Sequence, residues 1–540
     1  MKRYIKEYVE RIKELKISYM VFSFLFALMS ILSKHTIVRE SDRTTLEDVF
    51  FSDMGIIDIV LILAMGIGVY LIICLIPKMT KNMFFKGERK KNFLILLLLI
   101  GIIAIAWLPY IFSHWPGGVY SDTMYSLWMA TGEEKFTSHE PFFYTLLWVA
   151  IMKITGGSIQ PGEYSGLYTF SVMQYLAMAV LLGSFVYWLY KRGLKTLFII
   201  IIEAVFSVFN LYPFYAVSLW KDTIFGIVIF LFSWFLFCVN EKIVKSQDLR
   251  ISDYIKFFIL CVCTTFFRNN GIYVVMFVCF VFMLSLWKKR ELLIRFAVVS
   301  IASIGLCIVI QQPVFDALGY NVDTAIESMG IPIQQTAYII STDGKMGDKE
   351  AEFMGYIMPL ETWKSTYSPI TVDYLKFDPE FDRVFFISHN KEFLINYAKL
   401  CLKNPTKAIK GYLLSNFGFW DLYKNSSVAY IGNESIAWTG IFQGDYFAYY
   451  TGFSFKEFAY PKRFISAALW IWILLLVLTF AINRNDRRCT ISMLPALGVW
   501  ATIMIAAPIS YSFRYVFAVF LCVPIYLLCI TTNEDSKDKI

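Results

Sequence analysis

The chain has 540 residues, of which 57% are apolar, 18% aromatic and 17% charged, and it carries a net charge of +8. So large an apolar share excludes an ordinary soluble domain. The basic residues stand in short groups between apolar stretches, so the charge reads as loops held on the cytoplasmic side of a membrane and not as a nucleic-acid surface.

In chain order, the charged stretch Met1 to Lys16 is a cytoplasmic lead-in. Twelve apolar stretches follow, at 17–33, 56–76, 93–112, 168–190, 196–216, 223–239, 257–267, 271–287, 294–311, 464–482, 491–510 and 514–530. A helix needs roughly 20 residues to cross a hydrocarbon core of about 30 Å. A backbone in lipid must satisfy its own hydrogen bonds, so the spans are helices. The expected fold is an all-α polytopic membrane protein of about 12 transmembrane helices, with interfacial helices and a mostly helical extracytoplasmic segment. It divides into an N-terminal transmembrane module (1–311) with a first outer loop at 113–167, the extracytoplasmic segment 312–463, and a C-terminal transmembrane block 464–540.

Twelve crossings put both termini on one side. The connections Lys78 to Lys91, Lys191 to Lys195, Lys242 to Lys256, Lys288 to Arg290 and Arg484 to Arg488 are basic and fall inside with the N-terminus. The alternate connections are acidic or mixed and fall outside. The stretch 257–267 is too short to cross alone, which suggests a broken hairpin with its polar tip Arg268-Asn269-Asn270-Gly271 at membrane depth. Eight of the ten cysteines lie in apolar stretches, leaving no external disulfide framework.

On this assignment His35, His114, His139 and His389 are external, as are Asp122, Lys221, Asp222, Arg268 and Arg514 at span ends. Their collection on one face suggests one site at the outer rim of the bundle. Asp122 follows the tight turn Pro116-Gly117-Gly118 and either caps a helix over about Thr123 to Thr131 or serves as a proton acceptor. His139 and Glu140 precede Pro141 and a second short, interfacial helix; with Asp122 they form a weak candidate set for a divalent cation. Lys221, Arg268 and Arg514 are costly at membrane depth unless paired, snorkelling or functional, and guanidinium groups match phosphate oxygens. Lys221 has Asp222 beside it as the simplest partner. Gln334 and Gln335, after Pro332, either cap a helix or hydrogen-bond sugar hydroxyls. In the outer segment, Phe417, Phe419 and Trp420 are candidates to rest on the membrane surface.

Taken together, Pro116-Gly117 with Ser121-Asp122, His139 with Pro141, Trp220-Lys221-Asp222, Arg268-Asn269-Asn270-Gly271, Pro332 with Gln334-Gln335, and Phe513-Arg514-Tyr515 resemble a bacterial multi-pass family related to the GT-C glycosyltransferases. The resemblance implies an inverting transferase that moves a sugar from a polyprenyl-phosphate carrier to an extracytoplasmic acceptor: a cell-wall polysaccharide, a teichoic acid or a lipid. It implies a bacterial plasma-membrane location with the site outside. Asp122 would be the acidic residue of the first outer loop that serves as base or orients the acceptor, with Glu140 and His139 beside it as catalytic residues. Arg268, Arg514 and Lys221 would hold the donor phosphate; Asp222, Asn269, Asn270, Gln334 and Gln335 would contact substrate. Many GT-C members carry adjacent acids where this chain has Ser121 before Asp122, so the resemblance leaves metal dependence open. A polysaccharide polymerase or ligase and a flippase for lipid-linked glycans are the competing expectations.

Overall fold

A computed structural model describes residues 16–40, 46–79, 89–137, 140–156, 164–311, 325–422, 444–455, 466–506 and 509–531. Its regular structure is helical except for one antiparallel hairpin. Helix α1 (Ile17–Lys34) leads through β1 (Thr36–Glu40) and β2 (Leu46–Phe51) into α2 (Ile56–Met79) and α3 (Phe93–Ser113). Two short helices, α4 (Ser121–Thr131) and α5 (Phe142–Thr155), precede α6 (Ser165–Lys191), α7 (Thr196–Val208), α8 (Leu211–Val217), α9 (Lys221–Val244), α10 (Ile251–Phe266), α11 (Gly271–Ser285) and α12 (Arg290–Val309). The chain closes with α22 (Ala467–Asn483), α23 (Arg487–Ser492), α24 (Leu494–Ala506) and α25 (Phe517–Thr531), after outer helices α13 to α21 between Ala325 and Thr451.

Six helices among the described residues, α1, α2, α3, α6, α9 and α12, are long and apolar enough to cross a membrane; α7 and α8, bent by 48°, make a seventh if they form one span. The protein is therefore a multi-pass membrane protein. Four of the remaining expected spans coincide with shorter apolar helices, α11, α22, α24 and the apolar part of α25. The expected 257–267 span belongs to a longer helix, α10, which begins at Ile251 where Asp253 accepts the Arg250 backbone N–H at 2.9 Å. Bilayer contact explains why α2 exposes Ile59, Val60, Leu63, Ile67, Leu71 and Leu75, which water would penalise.

Helix α9 sets the frame for the site. At about 1.5 Å per residue its length is roughly 36 Å, enough for the hydrocarbon core. At its C-terminal end, Arg192 forms a fork on Glu241 (2.6 and 2.7 Å), Lys242 meets Asp253 (2.9 Å), and Lys289 donates to the Ile243 carbonyl (2.8 Å). Arg89 donates its backbone N–H to Lys191 (3.1 Å), and Arg487 reaches Ser285 (3.2 Å). Five connections expected to be basic and internal thus meet at one end. The other end of α9 carries the residues expected outside.

Over residues 325–422 the segment expected outside is folded, not a linker. Ile333, Ala337, Trp363, Phe386, Phe393 and Leu400 are buried in a core of their own. It is stitched to the entry of α25: Ser510 donates its N–H to the Ile370 carbonyl (2.9 Å), and the Gly418 N–H donates to Ser510 (2.9 Å). Phe417, Phe419 and Trp420 are buried in the main core beside this seam, so the expectation that they lie on the membrane surface is corrected. Gly418 lets the two backbones meet, since a Cβ there would stand 2.4 Å from Tyr511 Cα.

Candidate functional site

The turn after α3 places the first acid. Gly117 has φ +140°, a left-handed value that favours glycine, and a Cβ there would strike Leu219. Gly118 then pairs in parallel with Ser218: its N–H donates to Val217 (2.9 Å), and Leu219 donates back to its carbonyl (2.8 Å). This short rung starts α4 and α9 side by side. Asp122 enters four residues after Gly118, and Lys221 three after Ser218.

Further polar groups fix the rung. The Gln174 amide donates to the carbonyls of Tyr215, Ala216 and Ser218 (3.2, 3.0 and 2.7 Å). Tyr144 donates to Leu219 (2.6 Å), and Thr123 donates to the same carbonyl. Tyr120 stacks on Trp220 with ring centres 3.8 Å apart. Buried backbone acceptors left without donors would each cost about 1–3 kcal/mol, so these side chains hold the geometry.

Helix α4 begins at Ser121 with Tyr120 as its N-cap, so Asp122 lies in the first turn and does not cap the helix. Its carboxylate crosses to Arg514 Nη1 (2.9 Å) and Lys221 Nζ (3.1 Å). Lys221 also meets both oxygens of Glu140, at 3.0 and 3.1 Å. Arg514 stands in a single 3-10 turn, Phe513–Tyr515, and donates to the Tyr515 hydroxyl (3.2 Å). Arg268 lies over Tyr515 (5.3 Å) and donates to Asp222 (2.5 Å). Three carboxylates and three cations drawn from four separated stretches of chain therefore form one continuous cluster.

The expected Lys221–Asp222 pairing gives way to this cross-linking: Lys221 serves Asp122 and Glu140, while Asp222 serves Arg268. Successive residues at a helix start point about 100° apart, which turns Lys221 and Asp222 to different neighbours. Glu140 and Asp222 are closed off, with side chains 0% and 2% exposed, whereas Asp122, Arg268, Arg514 and Lys221 keep 16–18%. Burial pushes the Glu140 carboxyl up to about 8, against the opposing pull of Lys221. One oxygen of Asp222, Oδ2, has no hydrogen-bond partner.

Between Asp122 and Glu140, the place a divalent cation would take is filled by the Lys221 ammonium. Among the described residues no group of three His, Cys, Asp or Glu side chains is placed to hold a metal. His139 lies outside the described residues. The other histidines are tied into local structure: His114 and His389 bond the carbonyls four residues before them through Nδ1 (both 3.0 Å), and His35 bridges Ser52 (2.9 Å) and Asp58 (3.0 Å).

At the α10–α11 turn, Asn269 is exposed and Asn270 occupies the N-cap position of α11 without a side-chain cap bond. Gly271 is required there, because a Cβ would fall 1.8 Å from the Thr264 carbonyl oxygen. Gln334 and Gln335 are buried in the outer segment instead. Gln334 donates to Ser368 (2.9 Å); Gln335 donates to Ala408 (2.7 Å) and accepts from Tyr397 (2.6 Å). The Gln335 amide is spent on holding helices together, which removes it from substrate contact as the reason for its burial.

Sequence reasoning missed Tyr515 as the centre on which Arg268 and Arg514 converge. Its position after Arg514, where a ring can cover a guanidinium, was the available signal. It also missed a cleft of about 650 Å³ in the outer segment, lined by Thr366, Thr371, Asp373, Tyr374, Phe377, Asp378 and Pro379. Thr371 of this cleft pairs in an antiparallel bridge with Ile509, five residues before Arg514.

No curated protein and no solved structure matches the chain. A family model described as a family of unknown function, DUF6020, matches residues 111–539, from the end of α3 through the whole ionic cluster and α25. The α1–β1–β2–α2 unit precedes the matched region. With well over half of its length matched, the chain belongs to the DUF6020 family.

Proposed function

We propose that the protein is a membrane glycosyltransferase of GT-C type, crossing the bilayer about twelve times, that moves a sugar from a polyprenyl-phosphate carrier to an extracytoplasmic cell-envelope acceptor with inversion. The observation that carries the reading is the meeting of Asp122 with Arg514 and Lys221. An acid able to take a proton and cations able to hold a phosphate share one rim of the bundle. The gathering of basic connections at the opposite end of α9 supports an outward-facing cluster with both termini inside.

A carboxylate between two cations is a weak base. A donor phosphate entering the cluster competes for Arg514 and Lys221, and the N-terminus of α9 adds its own partial positive charge. Asp122 is thereby released to accept the proton of an acceptor hydroxyl. The acceptor oxygen attacks the anomeric carbon from the face opposite the phosphate, and the bonding pair of the breaking C–O bond leaves on the phosphate oxygen. Negative charge grows there, so Arg514, Lys221 and Arg268 stabilise the transition state more than the bound donor. The products are an inverted glycoside and polyprenyl phosphate.

The test is transfer from undecaprenyl-phosphate-linked radiolabelled sugars in vesicles, paired with the surface-glycan composition of a deletion strain. Asp122→Asn is expected to lower transfer by about 100-fold or more while membrane insertion stays normal. Full transfer by that variant, or an unchanged glycan in the deletion strain, refutes the proposal.

A further inference from the structure

The cleft of the outer segment has its own chemistry. Its two aromatic residues, Tyr374 and Phe377, are 54% and 60% exposed. Arg383 lies over the Phe377 ring at 5.4 Å and fixes it, which leaves Tyr374 as the open platform. Around the rings stand two carboxylates and two hydroxyls. Asp373 is held by Lys376 at 3.0 Å, a lysine only 2% exposed, and keeps 36% of its own side chain open. Asp378 accepts from Thr366 at 3.1 Å. The Thr371 hydroxyl oxygen accepts the Asp373 N–H at 3.1 Å and lines the cleft from a buried position.

An aromatic face beside acceptor-rich carboxylates suits the apolar C–H face and the donating hydroxyl rim of a sugar ring. The volume of about 650 Å³ takes a short oligosaccharide. Asp373 is balanced by Lys376, but the Asp378 carboxylate has no ion-pair partner among the described residues and disfavours a phosphate, which is drawn to the cations of the neighbouring cluster. The backbone seam between Ile370 and Ser510, and the antiparallel bridge of Thr371 with Ile509, place the cleft beside the stretch of chain that leads to Arg514.

We propose that this cleft binds a neutral glycan chain and that it is the acceptor subsite. Its role as acceptor site rests on the transferase reading, whereas recognition of sugar hydroxyls does not. Of the acceptors consistent with an envelope transferase, it selects an uncharged polysaccharide over a phosphate-rich polymer.

The experiment is equilibrium binding of the full chain in detergent to chitohexaose, maltoheptaose and a glycerol-phosphate polymer. The native protein is expected to bind at least one neutral oligosaccharide and to bind the phosphate polymer at least tenfold more weakly. Tyr374→Ala should weaken oligosaccharide binding about tenfold or more at an unchanged melting temperature, with Tyr374→Phe restoring it. Absence of binding to both neutral probes, tighter binding of the phosphate polymer, or unchanged binding by Tyr374→Ala overturns the proposal. Binding that persists in a protein with no transfer from any donor fails the transferase reading alone. Transfer at unchanged acceptor KM in Tyr374→Ala fails the cleft alone.

Discussion

The two ends of α9 carry ion pairs of different kinds. At its C-terminal end Arg192 and Glu241 form a geometrically good fork, with side chains 28% and 14% exposed and Lys245 as a second partner at 3.2 Å. At its N-terminal end Lys221 is shared by two acids, one of them fully enclosed. The first arrangement joins neighbouring connections and can exchange its partners with water. The second draws on the first outer loop, α9, the α10–α11 turn and the entry to α25, and replacing any member strands another. Investing so much buried charge in one place stabilises a fold poorly compared with apolar packing, which is why the N-terminal end reads as a site and the C-terminal end as a clasp.

Lys221→Met gives the largest expected difference between the ends. It leaves Glu140 without its cation in an enclosed position, and losing one partner of a buried pair costs about 3–5 kcal/mol. Thermal unfolding of the detergent-solubilised protein, followed by tryptophan fluorescence, should show a clear drop in melting temperature. A variant that melts like the native chain would mean that the cluster carries no such strain.

This contrast bears on what could be read from sequence. The existence of the helices was legible because lipid enforces long apolar runs, and the basic connections sorted to one end as the charge rule requires. The span count was less legible, because α11, α22, α24 and the apolar part of α25 are too short to meet a length criterion and α7 bends before α8. At the site, span-end charge pointed to Asp122, Lys221, Arg268 and Arg514, which lie in one cluster. Partners were not legible: adjacency suggested Lys221 with Asp222, but helix geometry separates them. Gln335 shows the same limit, since a polar residue in an outer segment reads equally as a ligand contact or as a buried strut until Tyr397 and Ala408 are seen to satisfy it. The cleft was invisible because Tyr374 and Asp378 acquire meaning only once the α25 entry lies beside them.

A pH titration sharpens the comparison with a smaller effect. Burial lifts Glu140 from its ordinary 4.5 to about 8. Between those values the folded chain holds a proton that the unfolded chain has released, so this group's contribution to stability falls as pH rises through the window and is level above it. Glu140→Gln, which resembles the protonated form, should flatten the melting temperature between about pH 5 and pH 8 relative to the native chain. In Lys221→Met the pull that lowers Glu140 is gone and burial acts unopposed, so the fall in stability with rising pH should continue above pH 8 instead of levelling off. If the native and Glu140→Gln profiles run parallel, Glu140 does not titrate in that window.

The smallest effect belongs to the clasp. Arg192→Lys keeps the charge but loses the fork on Glu241, while Lys245 remains as a partner. The expected cost is about 1 kcal/mol or less, as for water-accessible pairs. Transfer should be unchanged, because Glu241, the partner of Arg192, lies about 30 Å along α9 from Lys221, the partner of Asp122. Ionic strength separates the two ends further: at 1 M salt, where the screening length is about 3 Å, the difference between Arg192→Lys and the native chain should vanish, while the deficit of Lys221→Met persists beneath its enclosing side chains. A deficit in Arg192→Lys that resists salt would make the C-terminal end as enclosed as the N-terminal one and remove the distinction between site and clasp.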